Sequence, residues 1–374
     1  MPDTIPTSFM PLDAGRLQRA KRGFTTRRVD LDSACTLLPP PLAPLPGDLL
    51  LARVDLVSPR NRLELVDGRR AHLFAGDEVL LAFGNRYAPD QYEAQVPGSL
   101  DVCELVAAGG LAAAVLGRHD AMAKASSLRA LGLLGDAQGR RMNLSQFALA
   151  RVAVPRQPRP RVIVVTGTSM NSGKTTTVSC LIRGLRASGQ RVAALKVTGT
   201  GAGGDLWLMK DAGASPVLDF TDAGHASTSG LATATLIEIL HTLVAHAAAS
   251  APDAIVVEVA DGLLQPETAA LLRSREFRAL ADVVAFAAGE AMSADAGVRW
   301  LRAEHLPVRL LSGLLTASPL AMREAEASTG LPALTMAQLS EGTSLRALLA
   351  EADRGDADRA THAPSHDLAQ HTVG

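Results

Sequence analysis

Residues 161–177 read RVIVVTGTSMNSGKTTT, and the residue types and spacing in that run are those of a loop that wraps phosphate. The loop comprises Gly167, Thr168, Ser169, Met170, Asn171, Ser172, Gly173, Lys174, Thr175 and Thr176. Backbone N–H groups in such a loop point at a β-phosphate, and Gly173 lets the main chain come close. Lys174 neutralises phosphate charge, and the Thr175 hydroxyl is a ligand for Mg²⁺. An apolar run at 162–165 precedes the loop and a helical pattern follows from Thr176, so the anion would meet the positive end of a helix. The usual pattern leaves four residues between its first glycine and the Gly-Lys pair. Here that first position is Thr168, and the glycine stands one residue earlier, at Gly167. The bland alternative is a strand–turn–helix corner that merely carries a lysine.

A second cation, Lys196, ends the apolar segment 192–196. That position is the same sheet edge as the loop. A lysine there would bridge a γ-phosphate and an anionic substrate, or steady charge during phosphoryl transfer; otherwise it caps a strand end in solvent. Lys174 and Lys196 are the catalytic candidates. Arginine carries nearly all the positive charge, and the only lysines are Lys21, Lys124, Lys174, Lys196 and Lys210. Where arginine is the default cation, a lysine supplies a compact ammonium instead.

Asp205 follows a glycine-rich stretch (Gly199, Gly201, Gly203, Gly204), and Glu258 lies at the end of the apolar segment 255–259. With Thr175 they form the candidate metal set, and Asp261 is the rival. Mg²⁺ keeps several waters, so one or two protein carboxylates suffice. Weaker substrate candidates are Thr198, in a loop suited to a lid, and His225, Ser227 and Thr228 in DFTDAGHASTSG. His225 would serve as a general base, although a loop histidine with no visible partner is more often structural. Ser227 and Thr228 would cap the next helix, or its N-terminus would hold a substrate carboxylate.

The elements that must position these groups divide the chain. Residues 1–46 read as an extended arm, Pro-rich near its end and basic in its middle. Residues 47–153 read as a β-rich domain, a small antiparallel barrel or sandwich. Its short strands at 49–57, 62–66 and 78–83 are separated by turn residues, and helices are expected at 100–108 and 122–134. Prolines in 154–160 mark a linker. From 161 to 350 strands and helices alternate. Strands fall at 162–165, 192–196, 255–259, 283–287 and 308–311, with a short one at 333–335. Helices fall at 175–188, 231–248, 268–272, 295–304, 319–329 and 344–350. The implied fold class is α/β, a parallel sheet covered on both faces, preceded by a smaller β-rich α+β domain. Ligands in such sheets sit at the carboxyl ends of the strands. The polar tail 351–374 is expected to be disordered.

Composition narrows the function. With 374 residues there is room for two domains, and 47% hydrophobic content allows a large core. A net charge of −1 and 3% aromatic content argue against general nucleic-acid or membrane-surface binding. Cys35, Cys103 and Cys180 form no CxxC, which fits a reducing cytoplasm.

With these pieces placed, residues 161–340 resemble dethiobiotin synthetase and the related ATP-dependent cobyric and cobyrinic acid synthases. The resemblance is carried by Gly167-Thr168-Ser169 with Gly173-Lys174-Thr175, by Lys196, and by Asp205 and Glu258. It departs at Val197, where that family has proline, and at Glu258-Val259-Ala260-Asp261-Gly262, where it has Glu-Gly-Ala-Gly-Gly. The resemblance implies a P-loop NTPase domain that uses ATP and Mg²⁺, often as a homodimer. The expected activity is phosphoryl transfer to a small-molecule carboxylate or carbamate, in an ATP-dependent ligase or else a small-molecule kinase. A nucleotide-driven switch or metallochaperone-type NTPase is the other class. Against it stand the absent guanine-reading Asn/Thr-Lys-x-Asp motif and the absence of a lysine early in the loop.

Overall fold

The apolar run ahead of the loop forms the middle of a six-stranded parallel sheet. The computed structural model describes residues 9–59, 62–152, 159–343 and 346. In the C-terminal domain the strands are β1 (Arg161–Gly167), β2 (Val192–Lys196), β3 (Val217–Asp219), β4 (Ala254–Glu258), β5 (Val283–Ala287) and β6 (Val308–Ser312). The helices are α1 (Lys174–Ala187), α2 (Gly203–Asp211), α3 (Thr233–Ala249), α4 (Pro266–Arg273), α5 (Arg275–Leu280), α6 (Ala291–Ala303), α7 (Pro319–Thr329) and α8 (Met336–Glu341). The sheet order is β3-β2-β4-β1-β5-β6. The chain winds to one side of β1 as far as β4 and then crosses to β5 on its other side. The carboxyl end of β1 is therefore a topological switch point, where the loops on either side part and leave a crevice.

Alternation along the strands fills both layers. Val162 and Val164 join Leu236, Leu240 and Leu243 of α3 on one face, while Ile163 and Val165 join Val178, Leu181 and Leu185 of α1 on the other. A strand buried on both faces must be apolar throughout, and the charged residues are pushed to its ends.

The N-terminal domain closes on itself. Leu49–Leu56 pairs with Glu78–Phe83, which pairs in parallel with Leu111–Arg118. Leu111–Arg118 pairs with Glu104–Ala107, that strand with Ser126–Gly135, and Ser126–Gly135 returns to Leu49–Leu56. This is a five-stranded barrel with further strands attached to its walls.

Several expectations are corrected here. The helices expected at 100–108 and 122–134 are strands. Their Ala and Leu content favours helix, but each run finds two ladder partners in the barrel, and tertiary pairing overrides propensity. Residues 10–38 are not a free arm: Met10–Pro11, Lys21–Arg22 and Thr36–Leu38 pair into the N-terminal sheet. The glycine-rich stretch after Lys196 is no open lid, since Gly203 begins α2. The strand expected at 333–335 is a single bridge between Ala333 and Leu311. Most of the linker, most of the helix expected at 344–350, and the tail lie outside the described residues.

Candidate nucleotide site

The loop from Gly167 to Gly173 leaves β1 and enters α1 at Lys174. Two glycines make that turn possible. Gly173 adopts φ +97°, and a Cβ there would lie 2.9 Å from the Gly313 Cα. At Gly167 a Cβ would collide with the Ser172 hydroxyl at 2.5 Å and the Ala287 carbonyl at 2.7 Å. The need for glycine therefore falls at 167, one residue ahead of the usual position. Asn171 also takes a left-handed backbone, φ 62°. Its side chain donates to Asp90 of the N-terminal domain at 2.6 Å. Lys174 Nζ donates to the Ser169 carbonyl at 2.6 Å, and burial pulls its pKa below the usual lysine value.

Strand register lines up the charged ends. Lys196 stands level with Glu258 on one side and Asp219 on the other, and Glu258 is level with Val165 of β1. Lys196 is ion-paired with Asp205, which the first turn of α2 supplies. Burial opposes charge on Lys196, but Asp205 and Glu258 outweigh it and hold the ammonium above its ordinary pKa. Burial likewise disfavours a charged Asp205, yet Lys196 prevails and its pKa is lowered. Thr175 Oγ1 donates to Glu258 Oε1 at 3.0 Å. Burial, with Asp205 nearby, pushes the Glu258 carboxyl up to about 7, and its Oε2 is buried with no partner.

These groups fit Mg²⁺ shared with a phosphate. Thr175, Glu258 and Asp205 are hard oxygen donors at one sheet edge, and Glu258 holds an oxygen in reserve. Among the described residues no three acidic, His or Cys side chains cluster as an all-protein cage. A cation completed by phosphate oxygens and water does not require one. Asp261, with φ 65° and a pKa raised by burial, borders the same space.

The space is a cavity of about 520 Å³ between the two domains. Met170, Asn171, Gly173, Lys174, Thr175 and Thr176 border it from the loop, and Lys196, Asp205, Glu258 and Asp261 from the strand ends. Gly167, Thr168, Ser169 and Ser172 shape the loop without lining the cavity. The weaker substrate candidates do not reach it. Thr198 donates to the Ala260 carbonyl, Thr228 accepts from the Gly199 amide, and the Ser227 hydroxyl accepts from the Ser229 amide. His225, its pKa lowered by burial, lies off the cavity too. Neither Ser227 nor Thr228 caps α3, whose N-cap is Ala232.

Sequence reading missed the other wall. Arg86, Tyr87, Ala88, Gln91, Ala107 and Ala108 come from the N-terminal barrel. Two buried ties hold that wall in place. Arg27 donates to Asp219 Oδ1 at 2.9 Å and Asp222 Oδ2 at 2.6 Å, and Glu64 accepts from the Gly203 amide at 2.9 Å, at the start of the helix that carries Asp205. No local signal marks these residues, because each partner lies more than a hundred positions away.

No helix among the described residues is long and apolar enough to cross a membrane. By sheet, loop and following helix, the C-terminal domain is a P-loop nucleotide-binding domain. No protein-family model and no curated protein matches the chain. Solved structures similar to it include the signal recognition particle receptor FtsY from Elizabethkingia anophelis, at 16% identity and TM-score 0.31 over 42% of this chain and 50% of that one. The signal recognition particle 54 kDa protein from Aeropyrum pernix, solved with GDP, is 18% identical with TM-score 0.35, over 55% and 53%. A DUF1611 family protein from Anabaena variabilis is 17% identical with TM-score 0.39, over 55% and 63%. The chain thus spans about half the length of the first two and 63% of the third.

Proposed function

We propose that this protein is an ATP- and Mg²⁺-dependent enzyme that transfers a phosphoryl group to an oxyanion of a small molecule, as a ligase or a kinase. The observation that carries the reading is the cavity itself. Its volume of about 520 Å³ suits small ligands, and the second domain walls it off directly over the phosphate loop. Lys174 would exchange the Ser169 carbonyl for phosphate oxygens. Lys196, oriented by Asp205, would meet the transferring group from the neighbouring strand end. Thr175, Glu258 and Asp205 would hold Mg²⁺, whose contribution is to offset charge on the phosphates. The barrel wall would exclude water and select the acceptor.

A second reading, a nucleotide-driven switch, draws on one contact. Asn171 ties the phosphate loop to Asp90 of the barrel, a route by which nucleotide occupancy could reach the other domain.

The test is release of ADP or GDP and phosphate from ATP or GTP with Mg²⁺, across small carboxylates and amines, singly and in pairs. Lys174→Ala serves as the blank, with turnover lowered on the order of 10³-fold. Turnover with an acid–amine pair establishes a ligase, and turnover with one acid a kinase. Hydrolysis indifferent to every small molecule would sink the enzyme reading in favour of the switch.

A further inference from the structure

Two cations face the cavity with no carboxylate in ion-pair distance among the described residues: Lys174 at the loop end and Arg86 at the barrel end. The phosphate loop accounts for Lys174. Nothing so far accounts for Arg86.

Arg86 lies on the short strand Arg86–Tyr87, paired with Tyr92–Gln95. Its residue is 7% exposed. Of its five N–H donors, one at Nη2 meets Gln91 Oε1 at 2.7 Å, and Nε is buried with no partner. The guanidinium stands 5.7 Å from the Tyr92 ring centroid, a contact that does not neutralise it. Burial depresses its pKa to about 10; Asp261, which borders the same cavity beyond ion-pair distance, and Tyr92 offset only part of that cost. The partly buried interdomain arginine, Arg27, is paired with two aspartates, and Arg22 gives its guanidinium to the Thr26 and Val29 carbonyls, whereas Arg86 has only Gln91. Arg86 and Gln91 also border a second cavity of about 110 Å³, formed by the N-terminal domain alone and faced by Leu105, Val106 and Met122. The two spaces share Arg86 and Gln91 as a common wall.

We infer that Arg86 is the receptor for a carboxylate of the small-molecule substrate, bound at the barrel end of the cavity with Gln91 beside it. A planar fork of donors matches a carboxylate's two oxygens. The small recess behind it, which Ser58, Arg62 and Ser126 line together with Leu105, Val106 and Met122, would take one end of the substrate, and the rest would extend toward Lys174 and Lys196. The inference rests on the proposed function, in that the cavity is the acceptor site, and it names the chemical class of that acceptor: a small carboxylic acid with a second functional group.

The test is calorimetric titration of the full chain with C2–C6 mono- and dicarboxylates, with and without a non-hydrolysable ATP analogue and Mg²⁺. At least one dicarboxylate is expected to bind the wild type, to lose tenfold or more in affinity in Arg86→Met, and to recover part of it in Arg86→Lys. Nucleotide affinity should stay within twofold in both variants. Thermal unfolding guards against a folding defect: replacing an unpaired buried cation with an apolar side chain of similar length should leave Tm unchanged or raise it. The inference is overturned if no carboxylate of the series binds the wild type, if binding ignores Arg86→Met, or if Arg86→Met lowers Tm by many degrees, which would make Arg86 structural. It is also overturned if nucleotide affinity falls tenfold, which would make Arg86 a phosphate ligand. Carboxylate binding that depends on Arg86 in a chain that binds no nucleotide would leave this site standing and remove the proposed function instead.

Discussion

Arg27 and Arg86 both come from the N-terminal part of the chain, and both are largely buried where the two domains meet. Arg27 stacks on Phe24 with its guanidinium carbon 4.2 Å from the ring centroid, bonds Asp219, Thr221 and Asp222, and has its pKa raised, the two aspartates outweighing the cost of burial. Arg86 has a neutral glutamine, and its pKa is lowered. A buried cation whose counter-ions are built in locks two parts of a fold together. One whose counter-ion is missing costs stability until a ligand supplies it. Glu258 is the anionic counterpart of Arg86, with one buried oxygen left unpartnered and a proton held to about 7. Asp219 Oδ2 is also buried without a partner, so the contrast lies in the cations: the junction has its arginine paired with acid, and the cavity does not.

Three substitutions probe that contrast, beside the Lys174 and Arg86 variants above. The largest effect is expected at the paired junction. Arg27→Ala leaves Asp219 buried without its cation and Asp222 with only Arg28 at 3.7 Å, and should destabilise the protein by about 3–5 kcal/mol in denaturant unfolding. A cost below about 1 kcal/mol would mean that the network is no tie, and the contrast with Arg86 would collapse.

Glu258→Gln should be felt next, as a Mg²⁺ requirement raised about 10–100-fold, read from nucleotide turnover against Mg²⁺ concentration. The same residue sets a pH dependence. Folded, the carboxyl keeps its proton to about 7, whereas unfolded it loses it near 4.5. Its stabilising contribution is therefore full below the unfolded value and is lost as pH rises through the folded one. In metal-free protein Tm should fall across that window, and Glu258→Gln should flatten the fall. Binding of Mg-nucleotide should strengthen over the same range as the carboxylate forms. A wild-type Tm that climbs between pH 5 and 7 and is unaltered in shape by Glu258→Gln would contradict this assignment.

The smallest effect belongs to Glu64→Gln. The amide can still accept from the Gly203 amide, but the charge at the start of α2 is gone, for about 1 kcal/mol or less. Unfolding should register that loss, and the KM for nucleotide should rise a few-fold because α2 carries Asp205. An unchanged KM would separate the barrel tie from the site.

Part of this molecule is written locally. Strand, phosphate loop and helix follow one another within residues 161–187, so backbone sterics at Gly167 and Gly173 and the apolar run before them are legible in one dimension. Lys196 and Glu258 were legible for a related reason: a strand buried on both faces can carry charge only at its ends, and an apolar run that stops at a charged residue marks the sheet edge. The runs at 100–108 and 122–134 misled because Ala and Leu suit either state when a barrel supplies ladder partners. The basic stretch containing Arg27 read only as the middle of an extended arm, because its two aspartates lie about 190 residues away in the other domain. Arg86 carried no signal at all. Its burial away from any ion-paired acid, which it shares with Lys174 of the loop, comes only from the packing of the barrel over the loop. Sequence alone thus determined the nucleotide loop and its sheet, since those depend on neighbours in the chain. The wall of the cavity and the charge left open in it were decided by tertiary structure, because burial and pairing are properties of residues that meet only after both domains have folded.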